Sequence, residues 1–313
     1  MIECYLTKDG VTSLVDEMVP GAWIKLTAPT LEEVNEVAEA LDLDRDDLMA
    51  ASDPEEKTRV TTEDDDLMIL VDVPSSNRVH GERARNTIPL GIFLTEEHVV
   101  TVCWENPPFL ADFHNDRVRG FSTWRRSRFA VTILLRNALL FQQVLADIDR
   151  RRIEFETQID EIHNENDLVQ LHGLETSLVY LATSLRGNGN VLSRLQRSGR
   201  LRRHAGMDEL LEDAYVENQQ AIEMAQIYRD VIDGTRDLIS SVMDLRLNDV
   251  MQRLTSITII MTIPTIVSGF FGMNVDLDYM PWALTAHGFG IICVLTALVC
   301  ALLFFWFRRS KLL

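Results

Sequence analysis

The chain has 313 residues, with 48 acidic and 30 basic side chains and a formal charge of −18 at pH 7. That balance excludes non-specific nucleic-acid binding, which needs a basic face. It leaves an acidic surface that either attracts cations or simply keeps the chain soluble.

A mean hydropathy near zero hides a split. Asp and Glu crowd the chain up to Asn248, and the remainder is almost wholly apolar. The opening Met1-Ile2-Glu3-Cys4-Tyr5 lacks a basic segment followed by an apolar core, so no signal peptide is expected and the acidic part is expected in the cytoplasm. Residues 1–120 read as an α/β domain. β-rich stretches occur at Ile2–Leu6, Ala22–Leu26, Leu67–Val73, Leu90–Leu94 and Val99–Trp104, the last two a hairpin around Thr95–His98. Thr30 with Glu33 forms a capping box opening a helix over Leu31–Leu41. A second helix starts near Asp44, runs through Asp47 and Leu48, and stops before Pro54.

After Pro107-Pro108 the periodicity changes. Across residues 121–206 apolar side chains recur at three and four, as in Ile148, Ile153, Phe155, Ile159 and Ile162, which predicts antiparallel amphipathic helices. Gly187-Asn188-Gly189 predicts a kink or a turn, since two glycines cost a helix about 2 kcal/mol. From Met207 the helical pattern runs unbroken, with Gly234 its weak point and no proline before Pro264. Residues 207–249 form a stalk helix entering the membrane without a linker, and so long a helix must pack on copies of itself or on the preceding helices.

Two charge-free runs follow, Leu254–Phe271 and Phe289–Phe307. Each is long enough for a hydrocarbon core of about 30 Å. Spans are therefore expected at 250–272 and 288–307, with a loop at 273–287 and a tail at 308–313. Arg246 and Arg253 precede the first, Arg308, Arg309 and Lys311 follow the second, and the loop has Asp276 and Asp278 but no basic residue. The positive-inside rule puts both chain ends in the cytoplasm and the loop outside, in a multi-pass protein of the inner (plasma) membrane. Cys4, Cys103, Cys293 and Cys300 include no CxxC pair, which argues against a zinc knuckle or disulfide framework; packing accounts for the last two.

Within the first span, Asn248, Met251, Thr255, Thr258, Thr262, Thr265 and Gly269 step by three or four and form one uncharged stripe. Such a stripe serves either helix packing or a water-filled path lined with oxygens, which suits hard divalent cations. One helix per chain cannot enclose a pore, so the second reading requires a ring-shaped homo-oligomer.

The segment from Asn248-Asp249-Val250-Met251 through Pro264 to Phe270-Phe271-Gly272-Met273-Asn274, then Tyr279-Met280-Pro281, resembles the CorA family of divalent-cation channels. The resemblance implies a CorA-like homopentamer: an α/β cytoplasmic domain, a long α-helical stalk and two C-terminal transmembrane helices, the first lining the pore. It implies that Gly272, Met273 and Asn274 form the outer selectivity loop and that Asn248 makes a polar ring at the inner end. Met251 and Leu254 would be the apolar gate, with Thr255, Thr258, Thr262 and Thr265 between. Asp276 and Asp278 would concentrate cations outside. Cytoplasmic Mg2+ held between subunits by Asp213 and Asp47, with Asp46 third, would close the channel. Two departures stand at Thr262, where relatives carry an apolar residue, and at Pro264, one position later than theirs; they leave a second constriction open.

The ion implied is Mg2+, with Co2+, Ni2+ or Zn2+ on the same scaffold as the alternative. Zinc would be better served by His or Cys in the stripe, and the stripe has neither. From another class, the two spans could merely anchor a sensor or assembly protein. An enzyme is not expected: the chain has no phosphate loop, nucleophile elbow or histidine–carboxylate metal motif, and His98, His114, His163, His172 and His204 look isolated among polar residues. His287 reads as a packing or interfacial residue.

Overall fold

The computed structural model describes every residue except 54–55, 64–65, 76–85, 116, 158–164, 202–205, 275–281, 283–286 and 311–313. It divides into two units, Met1–Thr235 and Arg236–Leu313.

The first unit is built on a seven-stranded sheet. Its strands are β1 (Ile2–Lys8), β2 (Val11–Val15), β3 (Trp23–Thr27), β4 (Arg59–Glu63), β5 (Asp66–Pro74), β6 (Thr87–Leu94) and β7 (Val99–Cys103), in the order β2-β1-β3-β7-β6-β5-β4. All neighbours are antiparallel except β3 and β7, which run parallel. The expected hairpin is β6–β7, with Leu94 opposite Val99. Strands β2 and β4 were not foreseen. They lie at the two edges, and neither Val11-Thr12-Ser13-Leu14-Val15 nor Arg59-Val60-Thr61-Thr62-Glu63 carries the alternation by which a strand is recognised.

Both sheet faces are covered, which is why β6 and β7 read as continuous apolar runs. On one face Ile24, Leu26, Met68, Leu70, Phe93, Val100 and Val102 pack beneath the helices α1 (Leu31–Leu41) and α2 (Arg45–Ala50). The capping box is present in full: Thr30 accepts from the Glu33 N–H while Glu33 accepts from the Thr30 N–H. Gly91 allows the close approach of α2, since a Cβ there would lie 2.7 Å from that of Ala51.

The opposite face carries Trp23, Ile69, Val71, Leu90 and Ile92 beneath α3 (Pro108–His114), α4 (Arg126–Thr157), α5 (Glu165–Ser198) and the start of α6 (Met207–Phe271). Trp23, Phe113, Phe129 and Phe141 are fully buried, each contributing about 1.5–3 kcal/mol relative to exposure. The Trp23 indole N–H donates to Thr101 at 2.9 Å. His114 is not isolated: it stacks on Tyr5 with centroids 4.8 Å apart.

Beside it, Lys25 donates to the directly opposed Glu3 at 3.0 Å. Burial pushes the Glu3 carboxyl up, but bonds from Lys25 and Tyr5 outweigh it and hold it below the usual range. Burial and Glu3 push the Tyr5 phenol up to about 12.

The expected break at Gly187-Asn188-Gly189 is absent, and α5 runs straight through it. The glycines serve packing instead. A Cβ at Gly187 would come 2.6 Å from Thr58 Oγ1, and one at Gly189 3.1 Å from Asn218 Nδ2. Asp72 stands opposite Pro89, which has no N–H to offer, and past the end of β4. Asn188 serves its main chain instead, and Asn137 adds a further donor at 2.7 Å.

Candidate functional site

Among the described residues, three helices are long and apolar enough to cross a membrane: α4, α6 and α7 (Gly288–Arg309). Half of the apolar window of α4 is buried, packed on the sheet through Phe129, Ile133 and Leu134. The windows of α6 and α7 are almost wholly uncovered, and these two helices contain the two runs expected to span.

In the first-unit stretch of α6, Leu211, Ala214, Asn218, Ala221, Ala225 and Ile232 are buried at steps of three, four and seven. Asn218 donates to the Leu185 carbonyl at 3.0 Å, and Gln142 of α4 donates to Glu217 at 2.7 Å. One face of the helix is thus fixed to α4 and α5. Ile227, Val231, Leu238 and Leu245 remain exposed.

The second unit contains the membrane stretch of α6 and all of α7. Covered or partly covered positions on α6 are Gln252, Ser256, Ile260, Ile263 and Val267; on α7 they are Ile292, Thr296, Val299, Cys300, Leu303 and Phe307. The α6 set steps by three or four, the α7 set does so apart from the adjacent Val299 and Cys300, and each forms one seam. Cys300 Sγ donates across it to the Ile260 carbonyl at 3.7 Å. Cys293 is exposed, so intrachain packing accounts for Cys300 alone.

The polar stripe lies elsewhere. Asn248, Met251, Leu254, Thr255, Thr258, Thr262, Thr265 and Gly269 are all exposed. The stripe's centre sits roughly 140° around the helix from the seam, at 3.6 residues per turn. Packing of α6 on α7 therefore does not account for it.

The stripe's hydroxyls share one arrangement. Thr255 donates to the Met251 carbonyl at 2.7 Å, Thr258 to Leu254 at 2.8 Å, Thr262 to Thr258 at 2.7 Å and Thr265 to Met261 at 3.2 Å. Each hydroxyl spends its single proton on its own helix, which leaves lone pairs directed outward. The exposed face is accordingly a column of acceptors, suited to the water shell of a cation.

At its C-terminal end α6 tightens and stops. Gly272 N–H donates to Ser268 at 2.9 Å and to Gly269 at 3.3 Å, and Met273 N–H to Phe270 at 3.4 Å. A Cβ at Gly272 would sit 3.1 Å from the Ser268 carbonyl oxygen, so a larger residue crowds this turn. Met273 and Asn274 are exposed beyond it. Asp276 and Asp278 lie outside the described residues.

The three expected regulatory carboxylates belong to the first unit. Asp213 is exposed on α6. Asp46 and Asp47 occupy the first turn of α2, whose cap Asp44 accepts the Asp46 N–H at 2.7 Å. Asp46 is exposed, whereas Asp47 is paired with Arg59 at 3.3 Å. Asp42, Asp44, Asp47 and Asp66 line one cleft over Leu43, Met68 and Phe93, and the sequence had singled out only Asp47 among them. Among the described residues no group of three or more His, Cys, Asp or Glu side chains is placed to hold a metal ion.

The chain matches the family described as CorA-like Mg2+ transporter protein over residues 21–309. It is 24% identical over 303 residues to the cobalt/magnesium transport protein CorA of Methanocaldococcus jannaschii, covering 92% of this chain and 90% of that one. Its fold superposes on the complete structure of the CorA magnesium transporter from the same organism with a TM-score of 0.81 at 23% identity, covering 99% and 98% of the two chains. The ZntB cytoplasmic domain from Vibrio parahaemolyticus matches with a TM-score of 0.62 at 12% identity, over 77% of this chain and 97% of that one.

Proposed function

Because the chain belongs to the CorA-like Mg2+ transporter family, whose members are ion transporters and not enzymes, we propose that it forms a homopentameric channel for Mg2+ across the inner membrane. The observation that carries this is the exposed column of back-bonded threonines from Thr255 to Thr265, set away from the α7 seam. Repeated around a ring, it supplies acceptors at every turn. The exposed residues Ile227, Val231, Leu238 and Leu245 supply apolar area for contact between copies.

In this reading residues 250–272 and 288–307 cross the membrane, and both chain ends are cytoplasmic by their flanking Arg and Lys. Five copies of Gly272-Met273-Asn274 make the outer entrance. Mg2+ sheds water reluctantly, so a ring of neutral Asn274 carbonyl oxygens selects by touching the hydration shell, and release stays fast. Asp276 and Asp278 raise the local cation concentration. At the inner end Asn248 forms a polar ring, and Met251 with Leu254 closes the path by narrowing and drying.

Closure follows cytoplasmic Mg2+. Asp213 and Asp47, with Asp46, belong to a site completed by a neighbouring copy; among the described residues one chain brings no three such ligands together. Without the ion these carboxylates repel and the ring loosens; with it they are bridged. Arg59 already neutralises Asp47 in part and must yield or share it.

The test is purified protein in liposomes, with Mg2+, Co2+, Ni2+ and Zn2+ compared in one preparation. Passage of Mg2+ is expected. No passage of any of the four would sink the channel reading and favour a membrane-tethered sensor.

A further inference from the structure

A proline within a membrane helix deprives one carbonyl of its donor four residues on, and hydrocarbon has no water to replace it. Here the proline is Pro264 and the carbonyl is that of Ile260. Ile260 lies on the covered seam, and Cys300 Sγ donates to this carbonyl at 3.7 Å. Neighbouring seam residues of α7 offer no substitute. Val299 and Leu303 are apolar, and the Thr296 hydroxyl is committed to the Ile292 carbonyl at 2.8 Å. The thiol thus meets the one carbonyl of α6 that Pro264 frees.

We propose that Cys300 is a positioning residue for ion passage: its thiol ties α7 to the Pro264 break in α6 and sets how readily the pore-lining helix bends there. A thiol is a weak donor, so the tie is one that can part and re-form as the helix changes shape. The inference rests on the reading of α6 as the pore-lining helix. It assigns α7 a part in gating beyond that of an anchor.

The test is a double-mutant cycle in the full-length protein: wild type, Cys300→Val, Cys300→Ser, Pro264→Ala, and Pro264→Ala with Cys300→Val. The readouts are the Mg2+ concentration giving half-maximal protection from trypsin, and Mg2+ flux in liposomes. Cys300→Val is expected to shift half-protection by about two- to tenfold, the effect of one hydrogen bond. Cys300→Ser, which keeps a donor, restores the wild-type value.

With Pro264→Ala the helix regains an N–H for Ile260, so adding Cys300→Val has no further effect. An equal shift in both backgrounds, no shift in either, or no Mg2+ protection of wild type overturns the proposal. Wild type that Mg2+ protects but that passes no ion removes the pore reading, while non-additivity in the cycle upholds the tie.

Discussion

Asn188 accepts from the main-chain N–H of Asp72 at 2.9 Å and donates to its carbonyl at 2.8 Å. One side chain thereby does for β5 what a neighbouring strand does elsewhere in the sheet. Replacing Asn188 by Ala strands the Asp72 N–H, at about 1–3 kcal/mol for a buried group left unpaired, while the carbonyl keeps Asn137 at 2.7 Å. A drop in the denaturation midpoint of the full chain is expected. An unchanged midpoint would mean that water enters and replaces the amide.

The Asp72 carboxyl, beside the same helix, is pushed above the usual range by burial, with Ser184 opposing in part. A raised folded pKa means that stability is fully present below the unfolded value of 3.8 and is lost as pH rises through the folded one. Asp72→Asn, which mimics the protonated form, is expected to raise the thermal midpoint at pH 7 and to match wild type below pH 3.8. Equal midpoints at both pH values would show that the carboxyl is solvated.

At the outer mouth, Asn274→Ala is expected to abolish Mg2+ flux in liposomes while the oligomer elutes unchanged on size exclusion. Asn274→Asp places a ring of charge there, and tighter binding should slow release. Normal flux in the Ala variant would sink the selectivity assignment.

For closure, Asp213→Ala combined with Asp47→Ala is expected to leave a channel that cytoplasmic Mg2+ no longer shuts. Loss of an outer-shell partner alone weakens metal sites about 10- to 100-fold, so losing two ligands should exceed that. Limited proteolysis across a Mg2+ series reads the effect. Protection equal to wild type would place the regulatory ion elsewhere.

Arg59→Met gives the reciprocal case. The Arg59 guanidinium sits 3.3 Å from Asp47 and, in the proposed closure, would compete with the ion for that carboxylate. Its removal is expected to lower the Mg2+ needed for half-protection. A higher requirement would show that Arg59 organises the site.

Local rules were legible in the sequence. The Thr30–Glu33 box, the β6–β7 hairpin, the length of α6, the two long apolar runs and the three-and-four spacing of the stripe depend on neighbours within a turn or a strand. Charge on either side of Leu254–Phe271 and Phe289–Phe307 carries the expected orientation for the same reason. Long-range contacts were not legible. No spacing announces that β3 and β7 pair in parallel, that Arg59 holds Asp47, or that Gly187 is glycine so that α5 can press on Thr58.

Pro264 marks the boundary between the two kinds of information. The sequence alone determined that the Ile260 carbonyl would lose its donor, because proline has no N–H. Only the tertiary structure decided that Cys300, 40 residues on, supplies another. The same holds for the stripe. Its spacing put seven residues on one side of the helix, but only the packing of α7 on another side left their oxygens uncovered.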